Sequence, residues 1–321
     1  DPVVARRLLL FRRKVRRLGS HAPARPAHAL IGGPLLGYSG GMSARRRYPS
    51  DLSDARWVLV EPLLTRWRED IVRRGLNIGH PPRHDLRDLL DAVLYVARTG
   101  IPWRYLPHDY PHWNTVYHYF GRWEQDGIFE QLNALLRRRV REDEGRQPEP
   151  TAMVIDAQSI KTSANVPAAG QGADVGKKIV GRKRSVVIDT TGLLLAVLVT
   201  AASIQDSTAG ETLLNRIAAA HPTIRKGWAD RGYREYLVDH AARLGIDLEI
   251  VRRTPGAARG FTVQPRRWCA ERTLGWLMLN RRLARDYEAL PARSTAMIYI
   301  AMIALMTRRL TRETTPTWRG L

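Results

Sequence analysis

The chain has 321 residues and is 44% hydrophobic, so it can bury a large core and form two domains. Lys and Arg number 52 against 31 acidic residues, and the formal net charge of +21 points to a polyanionic partner, with nucleic acid favoured over a membrane surface. The single cysteine, Cys269, excludes an internal disulfide framework and a cysteine-based zinc site, and it fits a reducing cytoplasm.

The chain begins with a basic segment, residues 1–47, that we predict to be a disordered arm. Residues 1–41 carry eight cations against one acid and are rich in Gly, Pro and Ala. One interpretation is upstream translated sequence that is not part of the natural protein, with Met42 as the natural start. The rest of the chain is also strongly basic, so the expectation of a nucleic-acid partner does not depend on the arm.

Residues 48–144 are predicted to form a small all-α domain. Ser50 or Ser53 can cap a first helix and Asp85 a second, because a side-chain oxygen at that position accepts an N–H of the first turn. A short turn precedes a third helix over about 113–123, and a long fourth helix follows. The apolar residues that recur at helical spacing include Trp57, Val60, Leu63, Leu64, Leu86, Leu89, Leu90, Val93, Ala97, Leu132, Leu135, Leu136 and Val140.

The second and third helices and their connection resemble a helix-turn-helix unit. In the third helix Trp113, Val116 and Phe120 share one face and are expected to pack inward. The polar residues of the other face are candidates for contact with a DNA groove, and they are Asn114, Thr115, His118 and Arg122. The alternative is a plain three-helix bundle in which these side chains are merely solvated. The charge of the chain favours DNA contact.

Residues 145–150 form a Gly- and Pro-containing linker, after which the hydrophobic pattern becomes strand-like. Residues 151–310 are predicted to form a second domain, and residues 311–321 a tail. The predicted strands are 152–156, 184–189, 193–200, 223–229 and 246–251, and the predicted helices are 206–220, 234–244, 266–283 and 292–310. This order predicts an α/β domain with a mixed five-stranded sheet and flanking helices, the topology of the ribonuclease H-like fold. The apolar stretch 296–306 is too short for a membrane span and is predicted to be a buried helix.

Three acidic residues follow or interrupt apolar segments of this second domain. Asp156 and Asp230 each end a predicted strand, and Glu271 lies in a predicted helix among apolar residues, where a charge is costly unless paired. Each alone has an ordinary explanation, since an Asp after a strand commonly caps a turn and Glu271 can pair with Arg267 one helical turn earlier. In the predicted topology, however, the first and fourth strands are neighbours. Asp156 and Asp230 would therefore meet at adjacent strand ends, with Glu271 across from them.

Three converging carboxylates repel one another unless cations neutralise them, so this arrangement predicts a divalent-metal site. Ligands that are all oxygen favour Mg²⁺ or Mn²⁺ over zinc. Two such ions about 4 Å apart form the clamp used for in-line attack on a phosphodiester. We therefore expect Asp156, Asp230 and Glu271 to be metal ligands and catalytic residues. Asp189 and Asp206 are candidates for supporting the site or capping turns.

A group of cations follows Asp156, on or beside the strands of the predicted active face. We interpret them as contacts to DNA backbone phosphates, which position DNA without reading its sequence. They are Lys161, Lys177, Lys178, Arg182, Lys183 and Arg184. Near the third acid, Arg267, Arg281 and Arg282 are further candidates for contact with DNA. The alternative is a set of solvated charges on an exposed hairpin. For the net charge of the whole chain, the alternative is a solvated basic surface in an organism that favours Arg.

Several motifs together carry a family resemblance over most of the chain. They lie at residues 48–54, 98–104, 156–161, 181–184, 230–233, 271–273, 281–283 and 286–288. From Met42 to about Leu310 the chain resembles bacterial insertion-sequence transposases of the DDE class, in the branch with a short helical N-terminal domain. The resemblance implies that Asp156, Asp230 and Glu271 are the catalytic triad and that two Mg²⁺ or Mn²⁺ ions serve as cofactors.

The same resemblance implies what the protein acts on. The helical domain would bind the terminal inverted repeats of its element, and the second domain would cleave DNA and join the ends to target DNA. A homodimer or larger assembly on DNA is expected, at the nucleoid in a bacterial cytoplasm. Two alternatives remain from the residues alone: a catalytically inactive DNA-binding remnant, and a ribonuclease H-like nuclease or resolvase that cuts without strand transfer.

Overall fold

The computed structural model of the protein describes residues 45–75, 84–251 and 268–315. The chain divides into two compact units, Asp1–Arg46 and Arg47–Leu321. The helices and strands of the described ranges belong to the second unit. The predicted basic arm lies almost wholly outside the described residues, as does Arg267.

The helical region begins with four helices, α1 (Asp54–Arg74), α2 (Leu86–Thr99), α3 (Trp113–Gln125) and α4 (Ile128–Asp143). The predicted caps are confirmed: the Ser53 hydroxyl accepts the N–H of Arg56 at 3.2 Å, and the Asp85 carboxylate accepts that of Arg87 at 2.7 Å. Helix α2 ends at Gly100, whose φ of 77° is the left-handed conformation that glycine adopts readily. Local sequence therefore determines where these helices begin and end.

The packing of α3 agrees with the predicted faces. Val116 and Phe120 are completely buried, and Trp113 is half-buried. The connection from α2 to α3 runs from residue 100 to residue 112 and contains a 3-10 turn, Trp103–Tyr105. It is longer than the connection of about three to four residues in a compact helix-turn-helix. The helix order is that of the predicted unit, with a longer connection.

The described strands form one mixed sheet and are β1 (Ala152–Lys161), β2 (Gly172–Asp174), β3 (Ile179–Asp189), β4 (Leu194–Ala201), β5 (Lys226–Asp230) and β6 (Asp247–Val251). Strand β3 is antiparallel to both β1 and β4, whereas β1, β5 and β6 run parallel. The five predicted strands and their mixed directions are confirmed. Strand β2, which pairs with β3, was not predicted. Strand β1 continues past Asp156 to Lys161 because β3 pairs with it along that whole length.

Four more helices cover the sheet: α5 (Asp206–Ala220), α6 (Tyr236–Arg243), α7 (Trp268–Leu277) and α8 (Pro291–Leu310). Successive strand residues point to opposite faces, so neighbours in β1 belong to different cores. Ile155 and Val187 pack with α5 and α6. Val154 and Val186 pack with α7 and α8. The segment predicted as one helix over 266–283 is divided into α7 and a 3-10 turn, Arg281–Leu283.

The helical region shares its core with the sheet. Leu90, Phe120 and Leu136 of that region belong to the same hydrophobic cluster as Val197 of β4 and Ile300 of α8. The buried helix predicted over 296–306 is confirmed as part of α8. Across the described ranges, no helix is both long and apolar enough to cross a membrane. The division at residues 145–150 stays a prediction from sequence, since the two regions on either side of it are packed together.

Candidate active site

Asp156 and Asp230 belong to β1 and β5, which are adjacent and parallel. Val154 of β1 pairs with Trp228 of β5. The same register, continued by two residues, places Asp156 opposite Asp230. Neighbouring strands are about 4.8 Å apart, and residues at matching positions project from the same face. The register therefore predicts that Asp156 and Asp230 lie close together.

The face that carries them is the one covered by α7 and α8. Val154 precedes Asp156 on that face of β1, Val186 lies opposite Asp156 on β3, and both valines belong to the cluster beneath these helices. Asp156 is 7% exposed, and its Oδ1 accepts the N–H of Ala157 at 2.8 Å. Asp230 is half-buried. Charges so shielded from water interact strongly with a neighbouring cation, because solvent screening is weak there.

Asp230 is oriented by the turn that follows β5. Its Oδ1 accepts the N–H of Gly232 at 2.8 Å. A Cβ atom at Gly232 would lie 2.9 Å from this same oxygen and 3.2 Å from Oδ2 of Asp206. Any larger residue would therefore push at least one of these carboxylates out of place.

Glu271 lies in α7, which packs over the same face of the sheet. The Thr273 hydroxyl donates to the carbonyl of Gly192 at 2.7 Å and so ties α7 to the turn between β3 and β4. Ala270 is buried, whereas Glu271 is exposed. The expectation that Glu271 needs a partner to offset a burial cost is therefore wrong, because the helix directs this side chain to solvent.

The three acids do not form a ready-made three-ligand metal site. Within the described ranges, no three Asp, Glu, His or Cys side chains are close enough together to hold one ion. The sheet aligns Asp156 with Asp230, and Glu271 stands on a separate element. The donors are carboxylate oxygens, which fit Mg²⁺ or Mn²⁺ in type. The role of the three acids as metal ligands stays a prediction.

Lys183 links the sheet to the start of α5. It projects to the face of β3 away from Asp156 and is 5% exposed. Its Nζ lies 2.7 Å from Oδ1 of Asp206 and donates to the carbonyl of Ile204 at 2.6 Å. This pair holds the Asp206 carboxylate beside the turn after β5. The prediction that Lys183 contacts DNA phosphate is therefore wrong for this conformation, because its ammonium group is engaged inside the protein.

Arg182 and Arg184 are also buried, with no exposed surface. Nη1 of Arg182 lies 3.3 Å from Oδ1 of Asp286, and Nη1 of Arg184 donates to the carbonyl of Leu283 at 2.7 Å. Burial lowers the pKa of Arg184 to about 10, although Asp286 acts in the opposite direction. The predicted phosphate contacts of these two arginines are wrong as well, since DNA cannot reach them.

The remaining predicted cations divide by exposure. Arg282 is 6% exposed and pairs through Nε with Oε1 of Glu288 at 2.7 Å, so its predicted phosphate contact is also corrected. Arg267 lies outside the described residues. Those that stay on the surface as candidates for phosphate contact are Lys161, Lys177, Lys178 and Arg281. Lys177 contacts β1 beside Asp156, since its Nζ donates to the carbonyl of Ala157 at 3.4 Å.

The predicted DNA face of α3 is open to solvent. Asn114, His118 and Arg122 are exposed, and Thr115 is half-buried. The three exposed residues recur every four positions, which places them in one stripe along the helix. This stripe is accessible to a DNA groove, and contact with DNA stays a prediction.

Two family models match separate parts of the chain. A family model described as "Transposase DDE domain" matches residues 147–306, and one described as "Putative transposase of IS4/5 family" matches residues 52–133. The chain belongs to the DDE transposases of insertion sequences. The transposase is thus a DNA-acting enzyme of a family that depends on divalent metal ions.

Two relatives match parts of the transposase. A 16.2 kDa protein of the insertion element IS402 from Burkholderia cepacia is 29% identical over 128 residues, which are 39% of this chain and 79% of the relative. The protein y4sN of Sinorhizobium fredii is 37% identical over 57 residues, which are 18% of this chain and 46% of that protein. No solved structure matches the transposase.

The close fit of Gly232 leads to a first prediction. Gly232→Ala is expected to slow metal-dependent DNA cleavage by about tenfold to a hundredfold, because small displacements of a catalytic group have effects of that size. Gly176→Ala is the matched control, since its nearest neighbour outside the adjacent residues, Oδ1 of Asp174, would lie 3.6 Å from the new Cβ. Cleavage rates of both variants under single-turnover conditions test this. Equal rates would show that Asp230 tolerates the displacement.

The sequence indicated a turn at Asp230 and a supporting role for Asp206, but the pairing of Lys183 with Asp206 was missed. The pairing of Lys183 with Asp206 and the turn at Gly232 both support the Asp230 side of the site. Gly232, two residues after Asp230, indicated this tight turn in the sequence, because an Asp side chain in a turn commonly accepts the N–H of the residue two positions later. The Lys183 pair carried no such signal, since its partner lies on another element.

Proposed function

We propose that the transposase cleaves phosphodiester bonds at the ends of its own insertion element and joins the freed 3′-hydroxyls to target DNA, with Asp156, Asp230 and Glu271 as metal ligands. The observation that carries this proposal is the register of β1 and β5, which aligns two carboxylates on one face of the sheet. The exposed cations on the same domain supply a surface for the DNA backbone.

Each acid has a distinct part in this proposal. Two Mg²⁺ or Mn²⁺ ions, when bound, activate the attacking oxygen and stabilise the leaving oxygen. Asp156 and Asp230 form the fixed pair, held by the sheet and by the N–H groups of Ala157 and Gly232. Glu271 completes the ligand set when DNA and metal bind. Binding of substrate is thereby coupled to assembly of the site.

The proposed partners follow from the reaction. The α3 stripe binds the terminal inverted repeats, and the catalytic region then meets the adjacent strand. Both ends of the element have to be handled together, so we propose a homodimer or larger assembly on DNA, working at the bacterial nucleoid in the cytoplasm. Exposed Lys177 and Lys178 contact backbone phosphates near Asp156.

Labelled duplexes that carry the element ends test this function. Incubation with Mg²⁺, and with EDTA as the control, is expected to give metal-dependent nicks with 3′-hydroxyl ends and, with target DNA, joined products. Cleavage without joined products favours a ribonuclease H-like nuclease or resolvase. Binding of the duplex without any cleavage favours a DNA-binding remnant, and either result contradicts the proposal.

The α3 stripe gives a second prediction. Arg122→Ala is expected to weaken binding to the terminal repeat about tenfold, because one side-chain contact to DNA is worth about 1–3 kcal/mol. Asn114→Ala and His118→Ala should act in the same direction. Arg139→Ala, which removes an equal charge from the exposed side of α4, is the matched control. Fluorescence anisotropy at one fixed salt concentration measures all four variants, and equal losses for Arg122 and Arg139 would rule out a specific contact.

A further inference from the structure

A cleft lies where the helical region meets α7 and α8, and its walls include none of the three catalytic candidates. Its cavity volume is about 50 Å³. Leu94, Trp276 and Ala301 are among its apolar lining residues. Its polar lining residues are Ser50, Arg56, Arg98, Asn280, Arg308 and Thr315. Among the described residues that line the cleft, three are arginines and none is acidic.

Arg56 contributes a buried donor to this cleft. The residue has no exposed surface; its Nε donates to the Thr307 hydroxyl at 3.2 Å and its Nη1 to the carbonyl of Asp51 at 3.0 Å. Its Nη2, like Oγ of Ser50, is buried without a hydrogen-bond partner in the described part of the chain. Leaving a charged group unsatisfied in the interior is costly. Both residues line the cleft, and two buried donors without partners beside it favour a ligand that accepts hydrogen bonds.

The charges around the cleft also favour an anion. Burial lowers the pKa of Arg56 to about 10, and repulsion from Arg308 lowers it as well, whereas nearby acids, Glu313 first, act in the opposite direction. Burial and the charge of Arg308 lower the pKa of Arg98 too. The guanidinium group of Arg308 therefore repels those of both Arg56 and Arg98. A bound anion would convert that repulsion into attraction.

We propose that this cleft is a binding site for one phosphate-sized oxyanion, held by Arg56, Arg98 and Arg308. Planar guanidinium groups match the geometry of phosphate oxygens and bind them with charge-assisted hydrogen bonds. Nη2 of Arg56 and the hydroxyl of Ser50 are the donors still unsatisfied. The oxyanion is a phosphate group, either of the DNA backbone or of a free phosphate compound, and it would tie the helical region to the helix that carries Glu271.

Glu313 is the acid most closely placed to compete with such an anion. Its Oε2 lies 3.6 Å from Nη1 of Arg308, and its Oε1 is hydrogen-bonded to the Ser53 hydroxyl. Glu313→Gln removes a negative charge and keeps every lining donor. This substitution is expected to tighten phosphate binding several-fold.

Calorimetric titration of the full chain with inorganic phosphate, at an ionic strength matched with chloride, tests the site. Arg98→Gln is expected to weaken binding about tenfold or more, because it removes a charge-assisted hydrogen bond. Ala304→Met narrows the cleft without changing charge and should weaken binding as well. Arg243→Gln, at an exposed position of α6 outside the cleft, is the control. Thermal unfolding midpoints verify that each variant is folded.

The results separate the possibilities. Absence of saturable phosphate binding to the wild type, or equal affinity in the wild type and both cleft variants, would overturn the proposal. If Arg98→Gln weakens duplex binding more than Arg243→Gln does, the site takes a DNA backbone phosphate. If both variants bind duplex equally while phosphate binding is lost in Arg98→Gln alone, it takes a free phosphate compound. Because phosphate titration needs no cleavage, this outcome is independent of the catalytic assignment.

Discussion

Asp156→Asn and Asp230→Asn are each expected to slow DNA cleavage by about a thousandfold without weakening DNA binding. The substitution keeps the shape of the side chain and removes the charge that attracts a divalent ion. Metal ions contribute several kcal/mol to such reactions, and each 1.36 kcal/mol is a factor of ten in rate. Single-turnover cleavage of a labelled element-end duplex in Mg²⁺ measures the loss, and anisotropy in EDTA measures binding.

Asp239→Asn is the matched control for these variants, because it removes an equally charged carboxylate from an exposed position on α6. Its cleavage rate should equal that of the wild type. Glu271→Gln distinguishes a triad from a pair. A loss as large as that of Asp156→Asn supports assembly of three ligands on DNA, whereas a wild-type rate would leave Asp156 and Asp230 as the only ligands among the three. If Asp156→Asn also cuts at the wild-type rate, the assignment fails.

Elements with strong periodicity could be predicted closely from the sequence. Helix α5 has both of its predicted ends, Asp206 and Ala220, because its apolar residues repeat at helical spacing and local signals bound it. Strand β2 could not be predicted, since Gly172–Asp174 is three residues long and depends on its pairing with β3. Context outweighs local preference in such short strands.

In the site, too, features that depend on nearby residues could be predicted from the sequence, and features that depend on distant residues could not. Asp156 and Asp230 follow apolar strand patterns. The first and fourth predicted strands are neighbours in the predicted topology, so the proximity of the two acids could be predicted. The environment of Arg182 could not, because its partner Asp286 lies 104 residues away in sequence. A run of cations after an acid such as Asp156 is compatible with both DNA contact and internal ion pairing. Only the folded structure distinguishes the two, by burial.

The buried ion pair between Arg182 and Asp286 gives the prediction with the largest effect on stability. Arg182 is completely buried, and its guanidinium donates to the carbonyls of Gly170, Glu288 and Ala289 as well as pairing with Asp286. Arg182→Met is expected to lower the free energy of unfolding by about 3–5 kcal/mol, because it leaves the Asp286 carboxylate uncompensated in the interior. Urea unfolding followed by circular dichroism measures this change.

The double variant Arg182→Met with Asp286→Leu tests whether the lost stability comes from the uncompensated Asp286 carboxylate or from the other contacts of Arg182. Replacing both members of a buried ion pair by apolar residues is often close to neutral, so the double variant should be more stable than Arg182→Met alone. Arg285→Met, at an exposed position next to Asp286, controls for the loss of one arginine and should change stability by less than about 0.5 kcal/mol. If Arg182→Met and Arg285→Met have the same free energy of unfolding, the contacts of Arg182 with Asp286 and its neighbours do not stabilise the fold.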